Sequence, residues 1–281
     1  MHIPPVWVNA KSDGRAPDGR RLPVSVWGWG NDDGSARKEA ANRLQRLLAR
    51  IGRGEPFPDK YGYGSRPLRE EILEIFESEV PDQPAAILTR NSYGVQVMNT
   101  ARLLFLDIDL QPIPFFERLF RRLRSGRDTS EEQVLTKLRS VLQSSERTTF
   151  RVYRTASGFR VMAIDREFDP AGLDARELMK ATGTDPAFTR LCVAQRSFRA
   201  RLTPKPWRCD IPLPPGEHPR LDDEARRRFA SWLTEYEKAS TGYATCRYVE
   251  TVGTARPGGL AGRLVELHDR VTRCSETLPL A

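Results

Sequence analysis

The chain has 281 residues, a length that suits one elaborated domain or a domain with appendages better than two full cores. Hydrophobic residues make up 39% and charged ones 29%, which permits a buried core and argues against a wholly disordered chain. Forty-five basic against thirty-seven acidic side chains give a net charge of +8. The longest apolar runs are far too short to cross a bilayer, and the first residues lack the basic and apolar regions of a signal peptide, so a soluble, cytoplasmic protein is the expectation.

Only seven of the forty-five cations are lysine. Such an arginine excess has two readings: replacement of lysine throughout by a GC-rich coding bias, or phosphate recognition by planar, bidentate guanidinium groups. The four cysteines and three histidines contain neither CxxC nor HExxH, which speaks against a structural zinc site. Cys-His and Ser-His-Asp catalysis lack a convincing set of partners as well.

In chain order, residues 1–23 read as an irregular arm and 24–29 as a short aromatic strand. A helix is predicted over 35–51, capped from the Asn31-Asp32-Asp33-Gly34 turn. After a loop containing Tyr61, Tyr63 and Arg66, Pro67 sits well as the first residue of a helix to about Glu79. Strands are expected over 85–90, 94–100 and 102–110, with the first turn at Asn91-Ser92-Tyr93. Helices follow at 114–123 and 130–144, then a hairpin of 148–155 and 159–165. Further helices at 173–182 and 186–194, a strand at 197–203, a helix at 222–238, a β-rich stretch at 243–252 and a helix at 260–274 complete the reading.

This order implies an α+β fold: a mostly antiparallel sheet with helices on one face, extended at both ends of the chain. The expected division is an N-terminal arm, strand and helices over 1–84, a core over 85–210, and a C-terminal helix-strand-helix elaboration over 211–281.

The chemistry concentrates in Leu103 to Leu110. In a strand, Leu104, Leu106, Ile108 and Leu110 share one face, while Phe105, Asp107 and Asp109 share the other. Two carboxylates then stand with Cα atoms roughly 7 Å apart and raise one another's pKa unless a cation intervenes. Mg²⁺ or Mn²⁺ is the natural cation, since two such ions roughly 3.5–4 Å apart serve in-line phosphoryl displacement. The plainer alternative is a strand end whose aspartates are solvated or paired with arginines.

Arginines gather on two segments without acids. One runs from Arg147 to Arg160 and holds Arg151, Arg154 and the turn residue Ser157; the other, from Arg196 to Arg208, holds Arg199, Arg201 and Lys205. Coding bias does not explain that local absence of acids, and a phosphate-lined groove facing Asp107 and Asp109 is one expectation, a solvated basic sheet face the other. Arg118, Arg121, Arg122, Arg124 and Arg127 form a third cluster, either tracking a nucleic-acid backbone or facing solvent. Trp207 is a candidate for stacking on bases, while His218 and His268 read as surface residues.

Together these motifs resemble the archaeo-eukaryotic primase superfamily. FLDID at 105–109 matches its hydrophobic strand ending in DxD, and RTASGFRVMAID at 154–165 occupies the place of its second motif, with Ser157-Gly158 followed by Arg160 similar to the Ser-Gly-Gly-Arg turn of some members. The second motif's histidine is missing: Val161, Met162, Ala163 and Ile164 stand there instead. The resemblance implies an RRM-like sheet and a metal held by Asp107 and Asp109 with Asp165 or Asp210 as a third ligand. With the two acid-free segments, the expected phosphate-binding residues are Arg154, Ser157, Arg160, Arg199, Arg201, Lys205 and Arg208. The expected function is nucleotide or nucleic-acid binding with possible nucleotidyl transfer. The alternatives are a non-catalytic nucleic-acid-binding protein and a metal-dependent nuclease or phosphohydrolase.

Overall fold

A computed structural model describes residues 1, 3–56, 66–80, 83–110, 129–145 and 147–281. It is α+β, with antiparallel strand pairing throughout its named sheets. The predicted helix at 114–123 and its arginine cluster, and likewise Tyr61 and Tyr63, lie outside the described residues.

The N-terminal region departs from the expected irregular arm. β1 (Val6–Arg15) pairs with β2 (Arg21–Gly30) over their full length, and α1 (Asp33–Gly52) covers the ribbon. Asp32 begins α1 with a capping box: its side chain accepts from the Ser35 amide at 2.8 Å while the Ser35 hydroxyl returns to the Asp32 amide. Trp27 and Trp29 serve packing, with Arg69 stacked on Trp27 at 4.4 Å and Arg43 on Trp29 at 4.5 Å.

The segment expected as a helix after Pro67 is instead β3 (Glu71–Phe76), which pairs with β4 (Ala86–Arg90). Ile72, Leu73, Ile75 and Phe76 suit either element by spacing, and pairing with β4 decides it. β5 (Gln96–Thr100) and β9 (Phe198–Arg201) complete this sheet in the order β3-β4-β5-β9. The second four-stranded sheet runs β10-β7-β8-β6, built from β6 (Phe105–Asp109), β7 (Phe150–Thr155), β8 (Gly158–Ala163) and β10 (Cys246–Val252). β9 and β6, each at an edge of its own sheet, lie against one another.

Both sheets feed one hydrophobic core, which includes Leu88, Met98, Leu106, Phe150, Val161 and Phe198. α2 (Thr129–Gln143), α3 (Leu173–Thr182), α4 (Pro186–Gln195) and α6 (Gly259–Thr272) add Leu142, Met179, Cys192 and Leu264. Helices cover both faces of the β6-containing sheet, not one. Arg154 on one face pairs with Glu131 of α2, whereas Tyr153 on the other packs its ring on His268 of α6 at 4.8 Å. A smaller cluster joins Val95 and Val97 to Phe229, Trp232 and Tyr236 of α5 (Asp223–Ser240). Gly94 makes room for it: its φ is +79°, and a Cβ there would lie 2.2 Å from the Trp232 ring. The four cysteines are free and buried.

Candidate functional site

β6 is greasy because both of its faces are covered. Leu106 and Ile108 are buried on one side and Phe105 on the other, so the polar end of the strand emerges only at half-buried Asp107 and exposed Asp109. Pairing with β8 sets Asp107 opposite Arg160 and Asp109 opposite Gly158. The same row continues through Tyr153 of β7 to Tyr248 of β10. Glycine is needed at 158, since a Cβ would stand 2.0 Å from the Ile108 carbonyl oxygen. The ladder then runs one step beyond the strand, with the Leu110 amide donating to the Ser157 carbonyl at 2.9 Å.

Beside these carboxylates the fold gathers cations. Arg160, only 5% exposed, donates to the Arg201 carbonyl at 2.8 Å and meets His268 Nε2 at 3.3 Å. A guanidinium can only donate, so Nε2 is assigned as acceptor and His268 Nδ1 carries the proton toward Asp269 Oδ1, 2.9 Å away. Asp269 also accepts from the Tyr153 hydroxyl at 2.7 Å and pairs with Arg151 at 2.8 Å. His268 is therefore a fully buried strut behind Arg160, not the surface residue expected. His218 is half-buried, and burial holds its imidazole below the ordinary range.

Arg201 is half-buried. Desolvation, followed by the like charges of Arg160 and Arg208, pushes its pKa down to about 10, while Asp107 pulls it back. Burial and the same crowding by Arg201 and Arg208 lower the Lys205 ammonium, and Asp107 and Asp109 oppose that. Arg208 reaches the turn and donates to Ser157 Oγ at 2.5 Å. Arg201 Nη1 donates to the Ala281 oxygen at 3.3 Å, and among the described residues no Asp or Glu side chain forms an ion pair with Arg160, Arg201, Lys205 or Arg208. On the acidic side, partial burial and then the charges of Asp107 and Asp185 raise the Asp109 carboxyl above its ordinary range, against the pull of Lys205 and Arg208.

Other predicted residues fall elsewhere. Arg154 points to the opposite face of the sheet and pairs with Glu131 at 2.6 Å. Arg199 is locked to Glu70 at 2.7 Å and Asn99 at 2.6 Å, in a nearly buried knot. Asp165 lies five positions past Arg160 along the chain, roughly 15 Å at strand rise, and accepts from the Thr149 amide at 2.8 Å. Asp210 is exposed with φ of 58° beside Cys209, whose thiol burial and the Asp210 charge push up to about 11. Neither aspartate joins Asp107 and Asp109. Among the described residues, no group of three His, Cys, Asp or Glu side chains is placed to hold a metal ion.

Two residues of the site were not expected. Asp185 caps α4, accepting from the Ala187 amide at 2.9 Å, and its own amide donates to the Asp107 carbonyl at 3.1 Å. The Asp-Pro pair at 185–186 is a visible helix-start signal, but nothing in it reveals the nearness of Asp107. His268 carries no local signal at all.

Searches against protein-family models, curated proteins and solved structures find no match to this chain. Among the described residues, no helix is long and apolar enough to cross a membrane.

Proposed function

We propose that the exposed end of β6 and the β7–β8 turn binds phosphate groups of a nucleotide or nucleic acid, with Asp107 and Asp109 taking one divalent cation. The observation that carries this reading is the cluster of Arg160, Arg201, Lys205 and Arg208, with Arg160 buried, Arg201 half-buried and none paired with an Asp or Glu side chain among the described residues, set beside two crowded carboxylates. Gathering like charges in a partly dry place is costly unless an anion completes it. Lys205 and Arg208 are the groups that would touch phosphate oxygens. Buried Arg160 and half-buried Arg201 act through their field, and Ser157 orients Arg208.

The carboxylate pair fits Mg²⁺ or Mn²⁺ in one mode. Mg²⁺ is commonly held by one or two carboxylates, waters and substrate phosphates. Bound there, the ion would neutralise charge on the phosphates and relieve the repulsion among Asp107, Asp109 and Asp185. A primase-like, RRM-like core is supported by the placement of FLDID on a strand beside the hairpin that carries Ser157, Gly158 and Arg160. Nucleotidyl transfer through two metals lacks its third carboxylate, because Asp165 and Asp210 stand away. That distance favours, as the second reading, a binding protein that keeps the sheet without the chemistry.

The test is a thermal-shift and calorimetric titration of the whole chain with tripolyphosphate, with and without Mg²⁺. Stabilisation by tripolyphosphate, strengthened by Mg²⁺ only while Asp107 and Asp109 are intact, is the expected result. Binding should weaken steeply with added salt. No shift with tripolyphosphate at low salt overturns the reading.

A further inference from the structure

Most aromatic pairs among the described residues are packed away. Phe229, Trp232 and Tyr236 stack within the small core, and Trp7 is buried against Trp29. Exposed Tyr248 leans on buried Tyr153, whereas among the described residues Tyr93 and Trp207 are the pair in which both rings are exposed. They meet edge to face, with centroids 5.4 Å apart and planes at 82°, yet Tyr93 is 46% exposed and Trp207 48% exposed. An aromatic ring gains by burial, so two touching rings left half in water mark a surface with a use.

Their position is fixed from both sides. Tyr93 sits in the β4–β5 turn, where the Asn91 side chain accepts from the Tyr93 amide at 2.9 Å and the Val95 amide at 3.3 Å. Trp207 sits in a single 3₁₀ turn, Pro206–Arg208, behind a proline that fixes the backbone. That turn is flanked by two cations of the phosphate cluster: Lys205 Nζ lies 5.3 Å from the Trp207 ring centre, and Arg208 reaches across to Ser157. The rings are thus continuous with the cations and, through Lys205 and Arg208, with Asp109.

We propose that Tyr93 and Trp207 form a stacking platform for the bases of single-stranded nucleic acid, whose backbone phosphates lie on Lys205 and Arg208. The inference rests on the phosphate-binding reading above and names its ligand. Charge complementarity selects a polyanion, and exposed rings beside a cationic track are the general means of holding unpaired bases. Duplex bases are already stacked on one another and offer no free face. Mononucleotides are held in concave sites that bury most of the ligand, whereas these rings lie open on the surface.

The experiment uses the full chain and a fluorescent oligothymidylate of about 12 nucleotides, read by anisotropy at low salt, with tripolyphosphate binding measured in parallel. Trp207→Ala is expected to weaken the oligonucleotide about 10-fold, Tyr93→Ala by less, and Trp207→Phe to restore most of the affinity, while tripolyphosphate binds each variant as it binds the parent. Arg208→Ala should weaken both ligands. The platform is overturned if Trp207→Ala leaves oligonucleotide affinity unchanged while tripolyphosphate still binds. It is overturned equally if the substitution weakens both ligands alike, or weakens thymidine triphosphate as much as the oligonucleotide. Failure of the parent protein to bind tripolyphosphate sinks the phosphate reading itself. Both rings are exposed, so circular dichroism of the variants should match that of the parent.

Discussion

Arg199 and Arg208 come from the same acid-free stretch of sequence, yet the fold gives them opposite surroundings. Arg199 is tied to Glu70 and Asn99, and Glu70 in turn accepts from the Thr89 hydroxyl at 2.6 Å, so that cation is neutralised inside the β3-β4-β5-β9 sheet. Arg208 shares a surface with Lys205 and half-buried Arg201, and among the described residues its guanidinium donates to the Ser157 hydroxyl and to no carboxylate. A run of arginines in a sequence therefore reports neither structure nor binding. What separates the two is whether a carboxylate, brought from far away in the chain, arrives to meet the guanidinium.

That contrast is most easily broken at the paired end. Glu70→Ala strands a nearly buried guanidinium and should cost about 3–5 kcal/mol in urea unfolding. A loss below about 1 kcal/mol would mean that Arg199 is as loosely held as Arg208. Next in size, Gly158→Ala forces a methyl against the Ile108 carbonyl and is expected to destabilise by about 1–3 kcal/mol, while weakening Mg²⁺ binding by displacing Asp109 from Asp107.

The unpaired end should behave in the reverse manner. Arg208→Ala is expected to leave unfolding stability within about 0.5 kcal/mol, as most surface changes do, and to weaken tripolyphosphate about 10-fold. A large stability loss without a change in binding would make Arg208 a structural residue after all.

The smallest effect sharpens the acidic side. The folded Asp109 carboxyl lies above its unfolded value, so the unfolded chain gives up that proton first. Ionising Asp109 opposes folding as pH rises from about 4 through the folded pKa. Asp109→Asn should thus raise Tm above that window, by on the order of 1–2 °C, with the gain vanishing below about pH 4. Millimolar Mg²⁺ should reverse the order by stabilising only the parent. An Asp109→Asn variant that melts lower than the parent at neutral pH, without metal, would mean that the carboxylate is held by its cations and not crowded by Asp107 and Asp185.

The legible parts were those whose pattern survives without distant partners. The capped periodicity of α1, the β7–β8 hairpin around Ala156-Ser157-Gly158 and the apolar lead-in of β6 all carry local signals. β3 did not, because its bulge between Ile72 and Glu74 breaks the alternation that marks a strand, leaving a spacing that suits a helix. The β1–β2 ribbon was hidden by Lys11, Ser12 and Asp13, whose polarity reads as an arm although backbone pairing continues through them. At the site, the carboxylate pair and Arg160, Arg201, Lys205 and Arg208 were readable as types, but Arg154 was assigned to the wrong face. Its role turned on Glu131, and the role of Arg160 on His268, neither of which any local window contains.

The strut formed by His268 also bears on how the protein comes to exist. Arg160 meets a histidine 108 positions further along the chain, and Asp107 shares its surroundings with Arg201. The entropy of each such closure is lost before its own contact forms, which places the assembly of this site among the slower, topology-limited folding events. During synthesis, β6 and its two aspartates emerge long before α6, so the buried side of Arg160 stays unfinished until the last helix docks.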